Sequence, residues 1–563
     1  MASTNDEADI DDSIATGNPL IDGLLTEYHW AGFPRTFFAY AIPDSETDYE
    51  DTRDLLIDDY PDDNHIGVVA MPDFMVVGIR QAIAQYRTIL NFEISESADN
   101  SIDTQLRYGL ADLTHDGDQP PPPAYAWTPQ DDGLTSEQDN WKSGDMFYNI
   151  NIFSVSNSPG GSLIGSYQYH TLLHETGHAL GLKHGHEAGH GNPALPAAFD
   201  SMEFTVMTYR GYIGDTFSGG YQVTNGHYAQ TLMMLDIQAL QYLYGADFTT
   251  QATNTVYKWD TAGKYFINGV EQWDTVSNTI FLTIWDGGGI DTYDFSAFST
   301  PQFIDLAPGR NTNLGTQLAM LGPTQTARGN VFNALQYGNN VNSLIENAIG
   351  GTGDDTIQGN IANNRLEGGN GADDLFGLTG QDTLIGGVGL DELFGGDGDD
   401  MLIGGDGGDI ISGGDGFDTA AYTSALGEVV TITPISTPSF GRWTVAGPAQ
   451  AGGDLLSGIE GFLFGEGGDV ITLASAPGYQ IITIDGAGGN DIINGSHEYE
   501  NLIGGLGTDS LRPNLGRFNA YGGAQGVVAG TWIESLAQND ELILNRRTYS
   551  GNFSFVDPTG NGR

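Results

Sequence analysis

The chain has 563 residues, which is too long for one compact core and predicts two or three domains. It contains no cysteine, which excludes a disulfide framework and thiolate metal ligands. Its formal net charge of −55 argues against nucleic acid or an anionic membrane as a partner. No apolar run reaches the roughly eighteen residues that indicate a membrane span.

The chain begins with a small, polar and acidic stretch, residues 1–23, which we interpret as a leader or short propeptide. Its start lacks the basic and apolar segments of a classical signal peptide, so we expect any export to use another route. The next segment, residues 24–248, has the pattern of an α+β domain. Helices are expected at 74–90, 169–182 and 232–245, and strands at 91–94, 104–108, 124–127 and 145–153.

This domain contains a metal-binding pattern: the chain reads H-E-x-x-H-x-x-G-x-x-H from His174 to His184. Residues four apart share one face of a helix, so His174 and His178 can bind the same ion. Gly181 permits the positive φ that ends a helix and returns the chain, bringing His184 back. Three neutral imidazoles with one open position predict a catalytic zinc site, with Glu175 placed to take a proton from the metal-bound water.

A second signal follows in the segment T-V-M-T-Y, which contains Met207 and Tyr209. The eleven-residue motif followed by Met-x-Tyr resembles the metzincin metalloproteases. The resemblance implies that Met207 lies in a turn beneath the zinc. It also implies that Tyr209 matches the tyrosine of the serralysins and astacins, which contacts the metal or the developing oxyanion.

Other residues near the motif have weaker assignments. His186 and His190 lie close behind the motif, but the spacing favours His184 as the third ligand. Serralysins usually carry proline after that histidine, whereas this chain has Gly185. The segment at 124–126 resembles the serralysin strand that forms the sheet edge above the cleft, where a substrate can pair as an added strand. An ordinary surface strand remains an equal interpretation.

A nine-residue repeat dominates the C-terminal half. After a β-rich junction at 249–349, residues 350–421 divide into eight consecutive nonapeptides with Asp or Asn at the sixth position and an apolar residue at the eighth. Glycine-rich turns let carbonyls converge, and the aspartates add oxygens suited to Ca²⁺. Two nonapeptides make one coil of a parallel β-roll. We expect this roll to be disordered without calcium and folded with it. A flexible linker would not keep this phase.

The calcium ligands expected in the repeats are Gly351, Gly353, Asp355, Asn364, Gly369, Gly371, Asp373, Asp382, Asp391, Gly396, Gly398, Asp400, Gly405, Asp409, Gly414 and Asp418. A C-terminal β region at 422–563 carries further repeats at 464–512, which add Asp491 and Asp509. The resemblance to the serralysins implies one more calcium position, at Asp286, Gly288, Asp291 and Glu346.

The zinc motif and the repeats occur in the order found in the serralysins, over roughly residues 19–421. The resemblance implies an α+β metzincin catalytic domain followed by an all-β parallel β-roll of the RTX type. It also implies a secreted bacterial zinc endopeptidase with one catalytic Zn²⁺, several structural Ca²⁺ and protein or peptide substrates. We further expect a monomer that is exported by a type I secretion apparatus. The apolar C-terminal ending that serralysins use for secretion is missing here.

Two other classes remain open. One is a calcium-dependent adhesin or binding protein that uses an inactive metzincin scaffold, although the intact Glu175 and the three histidines argue against it. The other is a metzincin of a different family, astacin-like or matrixin-like, against which the repeats argue. The preferred peptide bond and the number of occupied calcium sites do not follow from the sequence.

Overall fold

The computed structural model divides the chain into two compact units. Unit 1 comprises Met1–Asp291 and Pro308–Ile345, and unit 2 comprises Thr292–Ala307 and Glu346–Arg563. The structure describes residues 10–12, 15–30, 37–44, 68–97, 104–113, 122–129, 143–156, 162–189, 192–216, 221–422, 429–434, 442–447, 452–474, 482–495, 500–507, 509–512, 518–522 and 532–533. Each unit is therefore built from two separate stretches of chain, and the predicted five-segment division stays a prediction.

The helices of unit 1 lie close to the predicted positions. They are α1 Pro19–Asp22, α2 Asp73–Ile89, α3 Ile150–Phe153, α4 Tyr167–Ala179 and α5 Met234–Tyr244, with a 3₁₀ turn at Val341–Ser343. In the described ranges, none of them has the length and apolar character needed to cross a membrane. The strand predicted at 145–153 ends at Asn149, because the Asn149 side chain accepts the backbone N–H of Asn151 at 3.0 Å and caps α3 instead.

The strands of unit 1 precede and follow the zinc motif. They are β1 Ile10–Asp12, β2 Tyr28–Trp30, β3 Phe37–Ala41, β4 Glu93–Glu96, β5 Leu106–Ala111, β6 Ala124–Ala126, β7 Asp145–Asn149, β8 Val256–Trp259, β9 Tyr265–Ile267, β10 Val270–Trp273, β11 Leu282–Ile284, β14 Asn311–Thr312 and β15 Val331–Asn333. Five of these form a sheet in the order β4-β3-β5-β7-β6. Neighbours in it are parallel, except that β6 runs antiparallel to β7.

The core of unit 1 forms where α2 and α4 pack on this sheet. In α2, Met75, Ile79, Ile83 and Tyr86 recur at helical spacing and are fully or almost fully buried. Burial of an apolar side chain of this size contributes about 1.5–3 kcal/mol. This apolar stripe therefore explains both why the segment is helical and which face meets the core.

Surrounding elements fix α4, the helix that carries the zinc motif. Ser166 caps its start by accepting the N–H of Tyr169 at 3.1 Å. The Tyr86 hydroxyl of α2 donates to the Leu173 carbonyl at 2.6 Å, and Tyr244 of α5 donates to the carbonyl that follows the helix, that of Leu180, also at 2.6 Å. The helix therefore cannot rotate without breaking buried hydrogen bonds.

The same core includes the second stretch of unit 1, Pro308–Ile345. Within it, β14 pairs antiparallel with β15, and β15 pairs parallel with β11. Leu321 and Phe332 are fully buried among the side chains that surround α4. The Arg328 backbone N–H donates to the Glu203 carboxylate at 2.6 Å, and its guanidinium lies over the Phe204 ring at 4.8 Å. Residues predicted to form a junction therefore complete the core of unit 1.

Unit 2 consists of short strands. They are β12 Thr292–Asp294, β13 Phe303–Asp305, β16 Asn347–Ile349, β17 Thr356–Gln358, β18 Arg365–Asn370, β19 Asp374–Thr379, β20 Thr383–Val388, β21 Glu392–Asp397, β22 Met401–Asp406, β23 Ile410–Asp415, β24 Thr419–Tyr422, β25 Val429–Pro434, β26 Arg442–Ala446, β27 Gly452–Ser457, β28 Gly461–Phe464, β29 Val470–Leu473, β30 Ile482–Asp485, β31 Gly488–Gly489, β32 Ile492–Asn494, β33 Glu500–Gly507, β34 Ser510–Arg512, β35 Phe518–Gly522 and β36 Trp532–Ile533.

These strands form two faces of a roll. One face has the order β12-β16-β18-β20-β22-β24-β28-β30-β33, and the other has β13-β17-β19-β21-β23-β27-β26-β25-β29-β32-β34-β36. Leu366 pairs with Leu384, which pairs in turn with Leu402, so residues two nonapeptides apart stack in register and are fully buried. This is the coil that the repeat predicts.

The second face contains an interruption that the repeat does not predict. β26 runs antiparallel to both β25 and β27, whereas the first face passes directly from β24 to β28 in parallel register. Between Tyr422 and β27 the chain adds β25 and β26 to the second face, so the roll extends beyond the predicted boundary at residue 421. The repeats at 464–512 continue the same two faces.

Candidate active site and metal centres

The three histidines of the motif converge on one point. The Nε2 atoms of His174, His178 and His184 lie 3.0–3.2 Å from one another. Four ligands at Zn–N distances of about 2.0–2.1 Å in a tetrahedron are separated by about 3.3 Å. These spacings therefore fit three corners of a zinc coordination shell, with the fourth corner left for water or substrate.

The other ring nitrogen of each histidine has an oxygen partner. His174 Nδ1 lies 2.8 Å from the Val206 carbonyl, and His178 Nδ1 lies 2.8 Å from the Leu182 carbonyl. These carbonyls can only accept, so both Nδ1 atoms carry the proton and both Nε2 lone pairs face the centre. His184 Nδ1 has a carboxylate partner instead, that of Glu187 at 2.9 Å.

Burial keeps the imidazoles neutral. It lowers the pKa of His178 to about 3 and the pKa of His174 well below its usual value, and neighbouring imidazoles lower both further. Neutral imidazole is the form that binds a metal. The site is therefore prepared for zinc by protein contacts alone.

Glu175 and Tyr209 flank the histidines. Glu175 is buried, and desolvation raises the pKa of its carboxyl to about 8. The Tyr209 ring packs against His184 with centroids 4.3 Å apart. Burial raises the pKa of Tyr209, and the nearby Glu175 charge raises it further, so the phenol stays protonated at neutral pH.

The predicted Met turn lies against α4. A side chain in place of Gly177 would bring its Cβ within 2.6 Å of Met207 Sδ, so only glycine permits this approach. Asp236, at the start of α5, supports the turn by accepting the Val206 N–H at 2.8 Å and the Met233 N–H at 2.9 Å. Val206 in turn accepts from His174. A chain of contacts therefore runs from α5 to the first zinc ligand.

The loop after His184 has Gly185 at the position where the serralysins usually carry proline, and a backbone hydrogen bond fixes it. The Gly185 N–H donates to the Met207 carbonyl at 3.3 Å, a bond that proline cannot make. His186 packs beside His184, with ring centroids 5.3 Å apart, and its ring is not among the three that converge. His190 lies outside the described residues. The strand at 124–126, β6, is last in the order of its sheet, as a substrate-pairing edge requires.

The repeat aspartates form ladders along the roll. The Asp391 Oδ1 atom accepts the N–H of Asp373, and Asp409 Oδ1 accepts the N–H of Asp391, at 2.9 and 3.0 Å. The glycines of the turns allow adjacent coils to touch: a Cβ at Gly371 would lie 2.2 Å from the Gly353 carbonyl oxygen. The same i, i+18 bond, from the N–H of the residue 18 positions earlier, is accepted by Asp373, Asp382, Asp391, Asp400, Asp409, Asp418 and Asp509.

The second carboxylate oxygen, Oδ2, of most ladder aspartates lacks a hydrogen-bond partner in the part of the chain that the structure describes. In the described residues no hydrogen-bond partner meets the buried Oδ2 atoms of Asp373, Asp382, Asp391, Asp400, Asp409, Asp418 and Asp491. Burial raises the pKa of Asp391 and Asp491 to about 7, and that of Asp355 to about 6. Buried anionic oxygens beside convergent carbonyls form a donor set that fits Ca²⁺.

Two predicted calcium positions have other contacts. Asn364 donates its side-chain N–H to the Glu346 carbonyl at 2.8 Å, so an amide donor stands where the other turns have an anionic oxygen. Asp286 is buried and accepts from the Tyr257 hydroxyl at 2.5 Å, and burial raises its pKa to about 8. Asp286, Gly288 and Asp291 belong to unit 1, whereas Glu346 belongs to unit 2. The assignment of calcium to these residues stays a prediction.

The sequence analysis missed several residues of these centres. Glu187 is the partner of His184, but nothing in its local pattern marks it. Asp454 continues the ladder after the interruption by accepting the Asp409 N–H at 3.0 Å, and its other oxygen accepts the Tyr422 hydroxyl at 2.9 Å. Only the Gly-Gly-Asp sequence at the start of β27 could have indicated this aspartate.

Parts of this chain are similar to known protein families and to curated metalloproteases. Residues 246–373 match the family described as Peptidase M10 serralysin C terminal, and residues 385–420 match the RTX calcium-binding nonapeptide repeat. Serralysin G of Dickeya chrysanthemi is 32% identical over 315 residues, which cover 54% of this chain and 57% of that protein. Metalloprotease AprA of Pseudomonas entomophila is 35% identical over 235 residues, covering 40% of this chain and 43% of the relative.

The chain thus spans about half the length of these curated relatives. The matches confirm the resemblance to serralysin-type metalloproteases that the zinc motif and the repeats predicted. They also agree with the fold class, in which a metzincin domain is followed by an RTX β-roll.

Proposed function

We propose that this protein is a secreted zinc endopeptidase that cleaves extracellular proteins and is stabilised by calcium in its β-roll. The observation that carries the proposal is the convergence of three imidazole Nε2 atoms within 3.2 Å, each with its other ring nitrogen held by an oxygen. His174, His178 and His184 would hold the zinc ion. When bound, zinc supplies a Lewis acid that activates water and polarises the scissile carbonyl.

The side chains around the metal would carry the proton and stabilise charge. Glu175 would take the proton of the attacking water on a carboxylate oxygen and return it to the leaving nitrogen. A nearby cation favours the charged form of a carboxylate, which opposes the rise in pKa that burial causes. Tyr209, whose phenol stays protonated, would donate a hydrogen bond to the oxyanion. Strand β6 would pair with an extended substrate through backbone groups, which predicts broad specificity.

Calcium would occupy the turns of the roll. The unpartnered carboxylate oxygens support this assignment, because calcium would satisfy them and offset the repulsion between stacked aspartates. A chain that folds only on meeting calcium could pass unfolded through a type I secretion apparatus. Export by that route and an extracellular location are therefore part of the proposal.

The proposal is tested by comparing wild type with Glu175→Gln, both loaded with zinc and calcium, on casein. Glu175→Gln keeps the size of the side chain and leaves the three ligands in place, so zinc content should stay at one per chain. We expect hydrolysis to fall by roughly three orders of magnitude because the general base is lost. Equal clearing by both proteins, or none by either, would overturn the assignment and favour a calcium-folded binding protein.

A further inference from the structure

A buried histidine beside the zinc centre has no part in the mechanism above. His170 lies one turn before His174 on α4, with ring centroids 6.0 Å apart, and only 1% of its surface is exposed. Its ring packs against Tyr221 at 5.1 Å and against Tyr228 at 5.3 Å. His170 does not point its ring into the group of three converging imidazoles.

The hydrogen bonds of this histidine have a defined direction. The Tyr221 hydroxyl lies 2.6 Å from the Thr208 carbonyl and 3.1 Å from His170 Nε2. A carbonyl can only accept, so the single phenol proton goes to Thr208. The phenol oxygen must then accept from His170, which therefore carries its proton on Nε2.

This arrangement leaves one ring atom of His170 unsatisfied. Its Nδ1 is buried and has no hydrogen-bond partner among the described residues. An unsatisfied buried acceptor lowers the stability of the fold, and an apolar side chain of similar size would avoid that cost. The structure thus keeps a polar group here whose one hydrogen bond supports Tyr221.

The end of this hydrogen-bond chain is the peptide that joins Thr208 to Tyr209. The Thr208 hydroxyl is held by Asp200 and accepts the Arg210 N–H at 3.0 Å, so the side chain of Thr208 is fixed from the other side. The Tyr209 side chain is 37% exposed. The contact of Tyr221 with the Thr208 carbonyl therefore fixes the backbone from which an otherwise accessible phenol projects.

We propose that His170 and Tyr221 are positioning residues that orient the peptide before Tyr209 and so hold its phenol against the zinc centre. The inference rests on the proposed peptidase function and deepens it, because it names the residues on which the contribution of Tyr209 depends. Tyr228 lies in the same cluster, and its ring packs on His170 and Tyr221, but it is not part of the hydrogen-bond chain to Thr208.

The test is steady-state kinetics of the zinc- and calcium-loaded full chain on a fluorogenic peptide. Tyr221→Phe keeps the ring and removes both hydrogen bonds of the phenol, the one donated to Thr208 and the one accepted from His170, so we expect kcat to fall about tenfold with KM within about twofold of wild type. His170→Leu should show the same loss. His170→Gln should recover most of the rate, because its amide nitrogen can donate to the phenol, and Tyr228→Phe should match wild type.

A double-mutant cycle separates positioning of Tyr209 from general stability. In a Tyr209→Phe background, adding Tyr221→Phe should change kcat by less than about twofold, because the two residues act through one phenol. A further tenfold loss in that background would overturn the inference. So would an unchanged kcat in Tyr221→Phe alone, or a His170→Gln variant no faster than His170→Leu.

If zinc-loaded wild type cleaves no peptide, the proposed function fails, and the inference is decided by amide hydrogen exchange instead. Tyr221→Phe should then exchange faster than wild type in residues 207–211, while Tyr228→Phe keeps the wild-type protection there. Equal protection in all three proteins would overturn the inference on structural grounds.

Discussion

The zinc centre and the turns of the β-roll prepare for their metals in opposite ways. At the zinc centre, neutral imidazoles are oriented by protein oxygens, as when Val206 accepts from His174. In the roll, carboxylates such as Asp391 and Asp409 are buried, and one oxygen of each has no hydrogen-bond partner within the described part of the chain. The first site exists before the metal arrives, whereas the second carries an electrostatic cost until the metal arrives. Metal loss should therefore remove chemistry in one unit and structure in the other.

Selective removal of each metal gives the largest expected effect. Treatment with the zinc chelator 1,10-phenanthroline in millimolar calcium should lower peptidase activity by roughly three orders of magnitude. It should leave the far-ultraviolet circular dichroism unchanged. Dialysis against calcium-free buffer with micromolar zinc should instead remove most of the β-signal of the roll. Loss of that signal on zinc removal alone would contradict the comparison.

The pre-formed zinc centre is tested through Asp236. Asp236→Asn keeps the shape of the side chain, but its neutral amide oxygen accepts the Val206 and Met233 N–H groups more weakly than a carboxylate, and its amide nitrogen cannot accept from the Thr205 hydroxyl, so the support of Val206 weakens. Loss of such an outer contact typically costs 10–100-fold in metal affinity, and we expect about tenfold weaker zinc binding in a competitive chelator titration. Gln238→Glu, also on α5, serves as a control that should leave zinc affinity near that of wild type. Equal affinity in Asp236→Asn would show that the imidazoles do not depend on the Met turn.

The electrostatic repulsion and desolvation of the buried repeat carboxylates are tested by exchanging amide and carboxylate side chains. Asp391→Asn removes a buried charge, so we expect the calcium-free roll to become more stable and the calcium midpoint to rise about tenfold. Asn364→Asp is the reverse change: it adds a buried carboxylate and removes the side-chain N–H that donates to the Glu346 carbonyl. It should lower stability without calcium. Calcium titrations followed by circular dichroism measure both, and parallel shifts in the two variants would contradict the prediction.

The smallest effect is expected from pH. Burial raises the pKa of Asp355 to about 6 and that of Asp391 to about 7 in the folded roll, against about 3.9 in an unfolded chain. A carboxyl whose pKa is higher in the folded than in the unfolded state stabilises the fold at a pH below the unfolded pKa. This stabilisation is lost as the pH rises to the folded pKa. Without calcium, the roll should therefore keep more of its β-signal in circular dichroism at pH 5 than at pH 7.5. With calcium present the order should reverse, because protons compete for the same oxygens.

Local patterns predicted the parts of the structure that depend on local spacing. The helical interval between His174 and His178 and the turn at Gly181 are enough to predict that the three histidines of the motif converge. The nine-residue period is enough to place the apolar residues of the roll inside and its aspartates in the turns. In both cases one repeated distance along the chain determines which side chains meet.

Contacts between distant residues were not predictable in this way. The bonds from Asp236 to Val206 and from Tyr221 to Thr208 depend on how loops return, and no periodic pattern marks them. Asp454 joins the ladder only after the chain has added β25 and β26 to the second face. The discontinuous units also escaped the sequence analysis, because the assignment of residues 292–307 to one unit and 308–345 to the other depends on contacts between distant parts of the chain.

The interleaving of the two units has a consequence for timing. Leu321 and Phe332 complete the core around α4, yet the chain reaches them only after it has supplied β12 and β13 to the roll. At roughly 5–20 residues per second, synthesis from His184 to Ile345 takes about 10–30 s. During that interval the nascent chain has all three histidines of the motif and an unfinished core. The peptidase proposed above would therefore be inactive while the chain is still on the ribosome.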